Sequence, residues 1–170
     1  MLSEQNFMST LQKRLASAVK LRESEKHEAA RQILLELHSE FPEDPQVNYR
    51  CAWIHDLLGL EREAIPFYEK AIQTGLSGDD LKSALLGIGS TYRCIGEYHK
   101  SINIFQHALT LFPSCHEFKV FLAMAYYNIE EHSNAMQLLL NSLAETSKDE
   151  GVIRYQRAIR FYSDKLNETW

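Results

Sequence analysis

The sequence predicts an all-α fold made of repeated helix pairs, with one further helix after the last pair. Three observations predict it. Helix breakers are sparse, since the 170 residues contain only 7 glycines and 4 prolines. Apolar residues recur at intervals of three and four along most of the chain. Small residues also return at a nearly fixed long interval, which is typical of an internal structural repeat.

Two series of small residues define this repeat. The first series consists of Ala18, Ala52, Gly89 and Ala123, whose successive members are 34, 37 and 34 residues apart. The second series follows the same steps and consists of Ala30, Ala64, Ser101 and Ala135. The three extra residues of the long step lie in the loop GLSGDDL, whose Ser, Gly and Asp favour a turn and a helix start. Because two helices approach closely only where the contacting residues are small, both series predict helix–helix contacts.

The repeat divides the chain, as one domain over residues 1–170, into four helix pairs. The predicted repeats cover residues 11–44, 45–78, 82–115 and 116–148. Gly59 and Gly96 supply the permissive backbone position that ends a first helix. Pro42 and Pro113 end second helices, because proline cannot continue a helix. Each repeat is therefore predicted to be two helices joined by a short turn.

These features resemble the tetratricopeptide repeat, a helix–turn–helix unit of 34 residues. The third repeat carries the resemblance best, with Leu85, Ile88, Gly89, Tyr92, Gly96, Tyr98, Ser101, Phe105, Ala108 and Pro113 in family positions. His55 departs from the pattern in the second repeat, and Glu130 stands where the fourth would have its turn glycine. The resemblance covers roughly residues 11–147. It implies a right-handed superhelical array, similar to the small stand-alone tetratricopeptide proteins of bacteria.

The segment after the fourth repeat is predicted to form a C-terminal helix over residues 149–167. One face of this helix is apolar and carries Val152, Tyr155, Ile159, Tyr162 and Leu166. A helical array needs a terminal helix to cover its last apolar surface, so we interpret this segment as a cap. Two alternatives stay open: the same face forms a homodimer, or the segment folds into the groove of the array.

Composition and charge disfavour several classes of partner. The net charge of −5 and the pI of about 5.8 disfavour nucleic-acid binding, which generally needs a basic domain. No apolar run approaches the about 20 residues of a membrane span, and the N-terminus lacks the pattern of a secretory signal. Three cysteines without close spacing indicate reduced thiols. We therefore expect a cytoplasmic protein with no nucleic-acid and no membrane partner.

The sequence also lacks the motifs of enzymes and metal sites. Its seven histidines form no H-x-x-x-H pair, and neither H-E-x-x-H nor C-x-x-C occurs. No glycine-rich phosphate loop is present, and acidic pairs such as Glu61 and Glu63 lie at predicted helix starts, where they favour the helix dipole. We expect no catalytic activity, no bound metal and no cofactor.

The resemblance implies a binding surface on the inner face of the array, which the first helix of each repeat lines. Carried onto this sequence, the candidate residues are Tyr49, Arg50, Trp53, Asp56, Leu86, Ser90, Arg93, Val120, Phe121, Met124 and Tyr127. Trp53 is the expected anchor, because large aromatic side chains often dominate binding; its alternative role is packing against the neighbouring helix or the terminal cap.

The predicted function is an interaction scaffold that binds an unknown protein or peptide in this groove. A chaperone of the secretion type, holding an apolar segment of a client, is the alternative within binding proteins. A non-catalytic subunit of an enzyme complex is the alternative from another class.

Overall fold

The computed structural model describes the backbone of residues 2–170 and the side chains of residues 10–170. Over these residues the chain forms helices and turns, and the predicted all-α fold is confirmed. The helices are α1 (Leu2–Glu23), α2 (His27–Glu40), α3 (Pro45–Leu57), α4 (Glu61–Gln73), α5 (Gly78–Cys94), α6 (Tyr98–Leu111), α7 (His116–Asn128), α8 (His132–Thr146) and α9 (Glu150–Tyr162).

The helices form two compact units. The N-terminal unit, Met1–Thr91, contains α1 to α4 and most of α5, while the C-terminal unit, Tyr92–Trp170, contains the end of α5 and α6 to α9. In the N-terminal unit α2 packs on α1, α3 on α2 and α4 on α3. In the C-terminal unit the same succession joins α6 to α7, α7 to α8 and α8 to α9. In both units, helices that are adjacent in sequence therefore pack together.

Helix starts and turns follow the local chemistry of the sequence. The carboxylate of Asp44 accepts hydrogen bonds from the amides of Gln46 and Val47 at 2.9 Å each, with Pro45 at the first helical position of α3. Gly59 and Gly96 have φ angles of +71° and +84°, as the turn after a first helix requires. Glu130 adopts the same conformation with a φ of +65°. The fourth repeat thus keeps the turn without its glycine.

The predicted small residues lie in the helix contacts. Both series of small residues are buried, as are the large residues Leu34, Tyr68 and Phe105 beside them. In the N-terminal unit, Ala18 and Ala30 belong to a core that also contains Leu11, Leu34, Leu37, Val47, Cys51 and Ile54. The spacing of small residues therefore identified real packing positions.

The last helix covers α8 with only part of its predicted apolar face. The side-chain amide of Gln156 donates to the carbonyl oxygen of Ala144, and Ser163 lies 3.3 Å from the side-chain oxygen of Asn141. Val152 and Ile159 are half-buried, whereas Tyr155, Tyr162 and Leu166 are exposed. Among the helices described, none is long and apolar enough to cross a membrane.

Candidate functional site

The aromatic cluster on α3 is contacted from within the N-terminal unit. The rings of Tyr49 and Trp53, one helical turn apart, stack with centroids 5.9 Å apart. The guanidinium carbon of Arg22, on α1, lies 3.6 Å from the centre of the Trp53 ring. Arg50 approaches the same ring at 5.6 Å. The cavity beside Trp53 is about 10 Å³, which is room for about one water molecule.

Asp56 serves as a hydrogen-bond acceptor inside the same unit. Its carboxylate accepts from the hydroxyl of Tyr68 at 2.8 Å and from the hydroxyl of Thr91 at 2.9 Å. Burial raises the pKa of Asp56, and the two hydroxyl donors oppose this rise because they stabilise the ionised carboxylate. Burial, and then the neighbouring Asp56, likewise raise the pKa of the Tyr68 hydroxyl. Asp56 therefore links α3 to α4 and α5.

Gly87 provides the space for this network, a role that the sequence analysis missed. A Cβ atom at Gly87 would lie 2.3 Å from the hydroxyl oxygen of Tyr68 and 2.6 Å from the ring carbon that carries it. Glycine inside a helix costs about 1 kcal/mol relative to alanine, so its presence in α5 is itself a sign of close packing. That signal was available in the sequence.

The remaining candidates of the N-terminal unit lie on α3 and α5. Arg50 approaches the carboxylate of Asp80 at 3.4 Å, and the side-chain amide of Gln46 donates to the same carboxylate at 2.8 Å. Leu86 and Ser90 are half-buried. The polar candidates on α3 are thus engaged with neighbours on α4 and α5.

Three candidates of the C-terminal unit lie together around one pocket. Its volume is about 340 Å³, and we call it the α7–α8 pocket. It is lined by Arg93, Ala123, Met124, Tyr127, Asn128, His132, Ala135, Met136 and Leu139. The large side chains remain accessible, with 41% of Met124, 65% of Tyr127 and 42% of Met136 exposed. The pocket is large enough for a bulky apolar side chain.

Two further candidates of this unit belong to its packing. Phe121 lies with its ring centroid 5.9 Å from that of Phe105, and Val120 is half-buried. Conversely, His132, Met136 and Leu139 on α8 line the pocket although the sequence analysis placed no site residue there. The family pattern implies binding residues only on first helices, so it gives no signal for side chains that a second helix contributes to the pocket.

The charged group of the pocket is the guanidinium of Arg93. One terminal nitrogen donates to the side-chain oxygen of Asn128 at 3.4 Å, close to the upper limit for a hydrogen bond. Its Nε atom is buried without a hydrogen-bond partner. Tyr127 and His132 also line the pocket, and their ring centroids are 4.9 Å apart. The pocket thus combines an apolar surface with a cation that is incompletely hydrogen-bonded.

The exposed side chains around the α7–α8 pocket suit the binding of an apolar group. No group of three His, Cys, Asp or Glu residues in the described part of the chain is arranged to hold a metal ion. Burial raises the pKa of the Cys51 thiol to about 12, so this sulfur is protonated and unreactive near neutral pH. What the geometry offers is a surface that can receive an apolar side chain beside a cation.

The repeated helix pairs and their buried small residues define a class of helical-repeat proteins. The sequence profile of the family described as tetratrico peptide repeat matches residues 45–166, and the chain belongs to this family.

Solved structures share the fold at low sequence identity. MamA from Desulfovibrio magneticus RS-1 has a TM-score of 0.73 at 13% identity, with 92% of this chain and 87% of that chain covered. PilF from Pseudomonas aeruginosa has a TM-score of 0.68 at 13% identity, covering 94% and 71%. YrrB, described as a protein of this family with an unusual peptide-binding site, has a TM-score of 0.61 at 12% identity, covering 91% and 86%.

A longer relative from Homo sapiens is an aspartyl/asparaginyl beta-hydroxylase. It is 27% identical over 151 residues, which cover 84% of this chain. The match spans 20% of the length of the hydroxylase.

Proposed function

We propose that the protein is an interaction module that binds a peptide or protein segment at the α7–α8 pocket. The observation that carries the proposal is the 340 Å³ pocket, whose wall includes the exposed side chains of Met124, Tyr127 and Met136. Methionine side chains are flexible and polarisable, so they adapt to an incoming apolar group. Exposed tyrosine combines an apolar ring with a hydroxyl and is frequent among residues that dominate binding.

The exposed apolar surface continues beyond the pocket along α8. Leu143 lies one helical turn after Leu139 and is also exposed. A partner that covered this stripe would remove a contiguous apolar surface from water, which is the main favourable term of such contacts. The candidates of the N-terminal unit, among them Trp53 and Asp56, are left out of the proposed site because their side chains are engaged within that unit.

A selection from a random peptide library displayed on phage tests this proposal. We expect selected peptides to bind the intact chain, and Tyr127→Ala or Met136→Ala to weaken binding by about tenfold or more. Asn103→Ala, an exposed position on α6, is the matched control and should leave affinity unchanged. If the peptides lose affinity for the control variant but bind both pocket variants as tightly as the unchanged chain, the binding site lies elsewhere.

A dimer through α9 is a separate proposal. It is supported by the exposed rings of Tyr155, Phe161 and Tyr162 on that helix. Analytical ultracentrifugation of the chain and of Tyr155→Ser tests it, since a dimer built on this face should weaken in the variant. A monomer across the micromolar range would exclude it.

The similarity to the hydroxylase supports a second candidate function, a non-catalytic binding region that works with an enzyme. In that case the α7–α8 pocket would hold a segment of the enzyme or of its protein substrate. Mixing the chain with a candidate enzyme and measuring the KM for its protein substrate tests this function. A lower KM that reverts with Tyr127→Ala is expected, and an unchanged KM would reject that enzyme as the partner.

A further inference from the structure

The side chains on α8 form a stripe that suits one shape of partner. Met136, Leu139 and Leu143 are exposed and lie at positions i, i+3 and i+7, so they share one face of the helix. Seven residues of helix span about 10 Å. Two turns of a partner helix, with apolar residues at the same intervals, have the same length. The stripe therefore fits the apolar face of an amphipathic helix.

We propose that the occupant of the α7–α8 pocket is an amphipathic helical segment of another protein. One bulky apolar side chain of this segment enters the pocket, and a carboxylate about one turn away pairs with Arg93. The inference rests on the proposed function and specifies the chemistry of its partner.

The carboxylate follows from the state of Arg93. The bond from its terminal nitrogen to Asn128 is long, at 3.4 Å, so the terminal donors of the guanidinium are not fully used within the unit, while its Nε is buried and out of reach of a partner. Arginine pairs well with carboxylates, because its planar group can donate two parallel hydrogen bonds. Arg93 is half-buried in an apolar pocket, where such a pair is screened less than on an open surface.

Charge argues against a second copy of the chain in this pocket. Among the residues whose side chains are described, the helix with the most exposed aromatic rings is α9, and it carries Arg154, Arg157 and Arg160. Its insertion would bring like charges towards Arg93, which is unfavourable. The net charge of −5 opposes an acidic partner at long range. The attraction must therefore be local to Arg93, and one well-placed carboxylate is enough.

Methionine methyl groups give a direct measurement of pocket occupancy. The chain has 4 methionines, of which Met124 and Met136 line the pocket, while Met1 and Met8 lie at the start of the sequence and serve as internal references. We would label the methyl groups with ¹³C and titrate the full chain with synthetic amphipathic helical peptides. The first peptide carries leucine anchors flanked by glutamate, and the second replaces each glutamate with glutamine. We expect the first peptide to shift Met124 and Met136 selectively.

Substitution of Arg93 tests the charge pair. Arg93→Gln should lower the affinity for the glutamate peptide by about fivefold and change the affinity for the glutamine peptide by less than about twofold. Arg93→Lys should restore only part of the lost affinity, because it keeps the charge but not the two parallel donors of the guanidinium. Lys148→Gln, in the turn after α8, is the matched control for loss of one positive charge and should have no effect. Thermal melts of each variant verify that it is folded.

The possible outcomes separate this inference from the proposed function. Equal affinity for both peptides, with no effect of Arg93→Gln, would contradict the proposal that a carboxylate of the partner pairs with Arg93. If neither designed peptide shifts the methyl signals but phage-selected peptides do shift Met124 and Met136, the proposal of a helical partner is wrong and the proposed binding site is retained. Shifts of both methyl signals on dilution of the chain alone would identify a second copy as the occupant. If neither selected nor designed peptides reach the pocket, the inference and the proposed function both fail.

Discussion

The two units use first-helix residues in different ways. On α3 of the N-terminal unit, Trp53 is contacted by Arg22 and Tyr49, and Asp56 accepts hydrogen bonds from neighbouring helices. On α7 of the C-terminal unit, Met124 and Tyr127 are exposed around a pocket of about 340 Å³. The family pattern does not distinguish these positions. What distinguishes them is which neighbouring helix brings a side chain to cover them.

This difference has an energetic meaning. Stacked aromatic rings contribute about 0.5–1.5 kcal/mol beyond burial, and an arginine over an aromatic face contributes about 0.5–2 kcal/mol. Such contacts stabilise the N-terminal unit but leave its aromatic cluster less available to a partner. The exposed apolar side chains of the C-terminal unit gain this stabilisation only when a partner arrives. We therefore expect substitutions of first-helix residues to affect stability in one unit and binding in the other.

The largest expected effect is that of Gly87→Ala. The new methyl group would lie 2.3 Å from the Tyr68 hydroxyl oxygen, so Tyr68 must shift, and we expect its hydrogen bond to Asp56 to be lost. Overpacking and a half-buried carboxylate with one donor fewer should together lower the free energy of unfolding by about 3 kcal/mol. Urea unfolding measures this, with Ser90→Ala on the same helix as the control. A stability equal to that of the control would show that Tyr68 relaxes freely.

Trp53→Ala and Tyr127→Ala form the most direct test of the comparison. Trp53→Ala should lower the free energy of unfolding by about 2–3 kcal/mol, because the Arg22 and Tyr49 contacts are lost with the ring. Its effect on the affinity of a peptide bound at the α7–α8 pocket should be small. Tyr127→Ala should show the reverse pattern. Thermal melts and fluorescence anisotropy give the two readouts, and loss of affinity with Trp53→Ala alone would return the site to α3.

The core of the C-terminal unit should be as intolerant of added volume as that of the N-terminal unit. Ala108, on α6, is 0% exposed. Ala108→Leu should therefore destabilise the chain by about 1–3 kcal/mol through overpacking. Asn103→Leu adds an apolar side chain at an exposed position of the same helix and should change stability by less than about 0.5 kcal/mol. Equal melting temperatures for the two variants would contradict the register derived from the small residues.

Most of the fold could be predicted from the sequence because repeated packing leaves a repeated pattern. Ala52, Ala64 and Ser101 are buried as the period predicts, since a small residue must recur wherever the same helix–helix contact recurs. The turn at Glu130 was less obvious, because its left-handed backbone appears without the glycine that normally marks it. Local geometry is thus better conserved between repeats than the residue that favours it.

The candidate site could be predicted only in part. The inner-face assignment placed Met124 and Tyr127 on an exposed surface, and both line the pocket. It could not show that Arg22, more than 30 residues before Trp53, lies over that ring, because such a contact depends on helices that are distant in sequence. The α8 wall was missed for a related reason. Met136 and Leu139 have the spacing of buried residues, and only the packing of the unit shows that they are exposed.

The smallest expected effect is a pH dependence that belongs to the N-terminal unit. Burial holds the pKa of Asp56 above its ordinary value near 3.8. Between the unfolded and the folded pKa, the native state binds more protons than the unfolded state. Stability from this residue is therefore lost as pH rises through that window, by at most about 1.4 kcal/mol per pH unit. Above the folded pKa the loss is complete and constant.

Asp56→Asn isolates this contribution, because the effect of the other carboxylates on the pH dependence is the same in the variant and in the unchanged chain and cancels in the difference. We expect the difference in unfolding free energy, unchanged chain minus variant, to decrease as pH rises through the window and then to level off. Tyr68→Phe sharpens the test. It removes a hydroxyl that stabilises the ionised carboxylate, so the pKa of Asp56 should rise further and the window should extend to higher pH. Urea unfolding at intervals of pH measures both curves. A difference that increases with pH would mean that the hydroxyl donors outweigh burial, and Asp56 would then stabilise the unit most as a carboxylate.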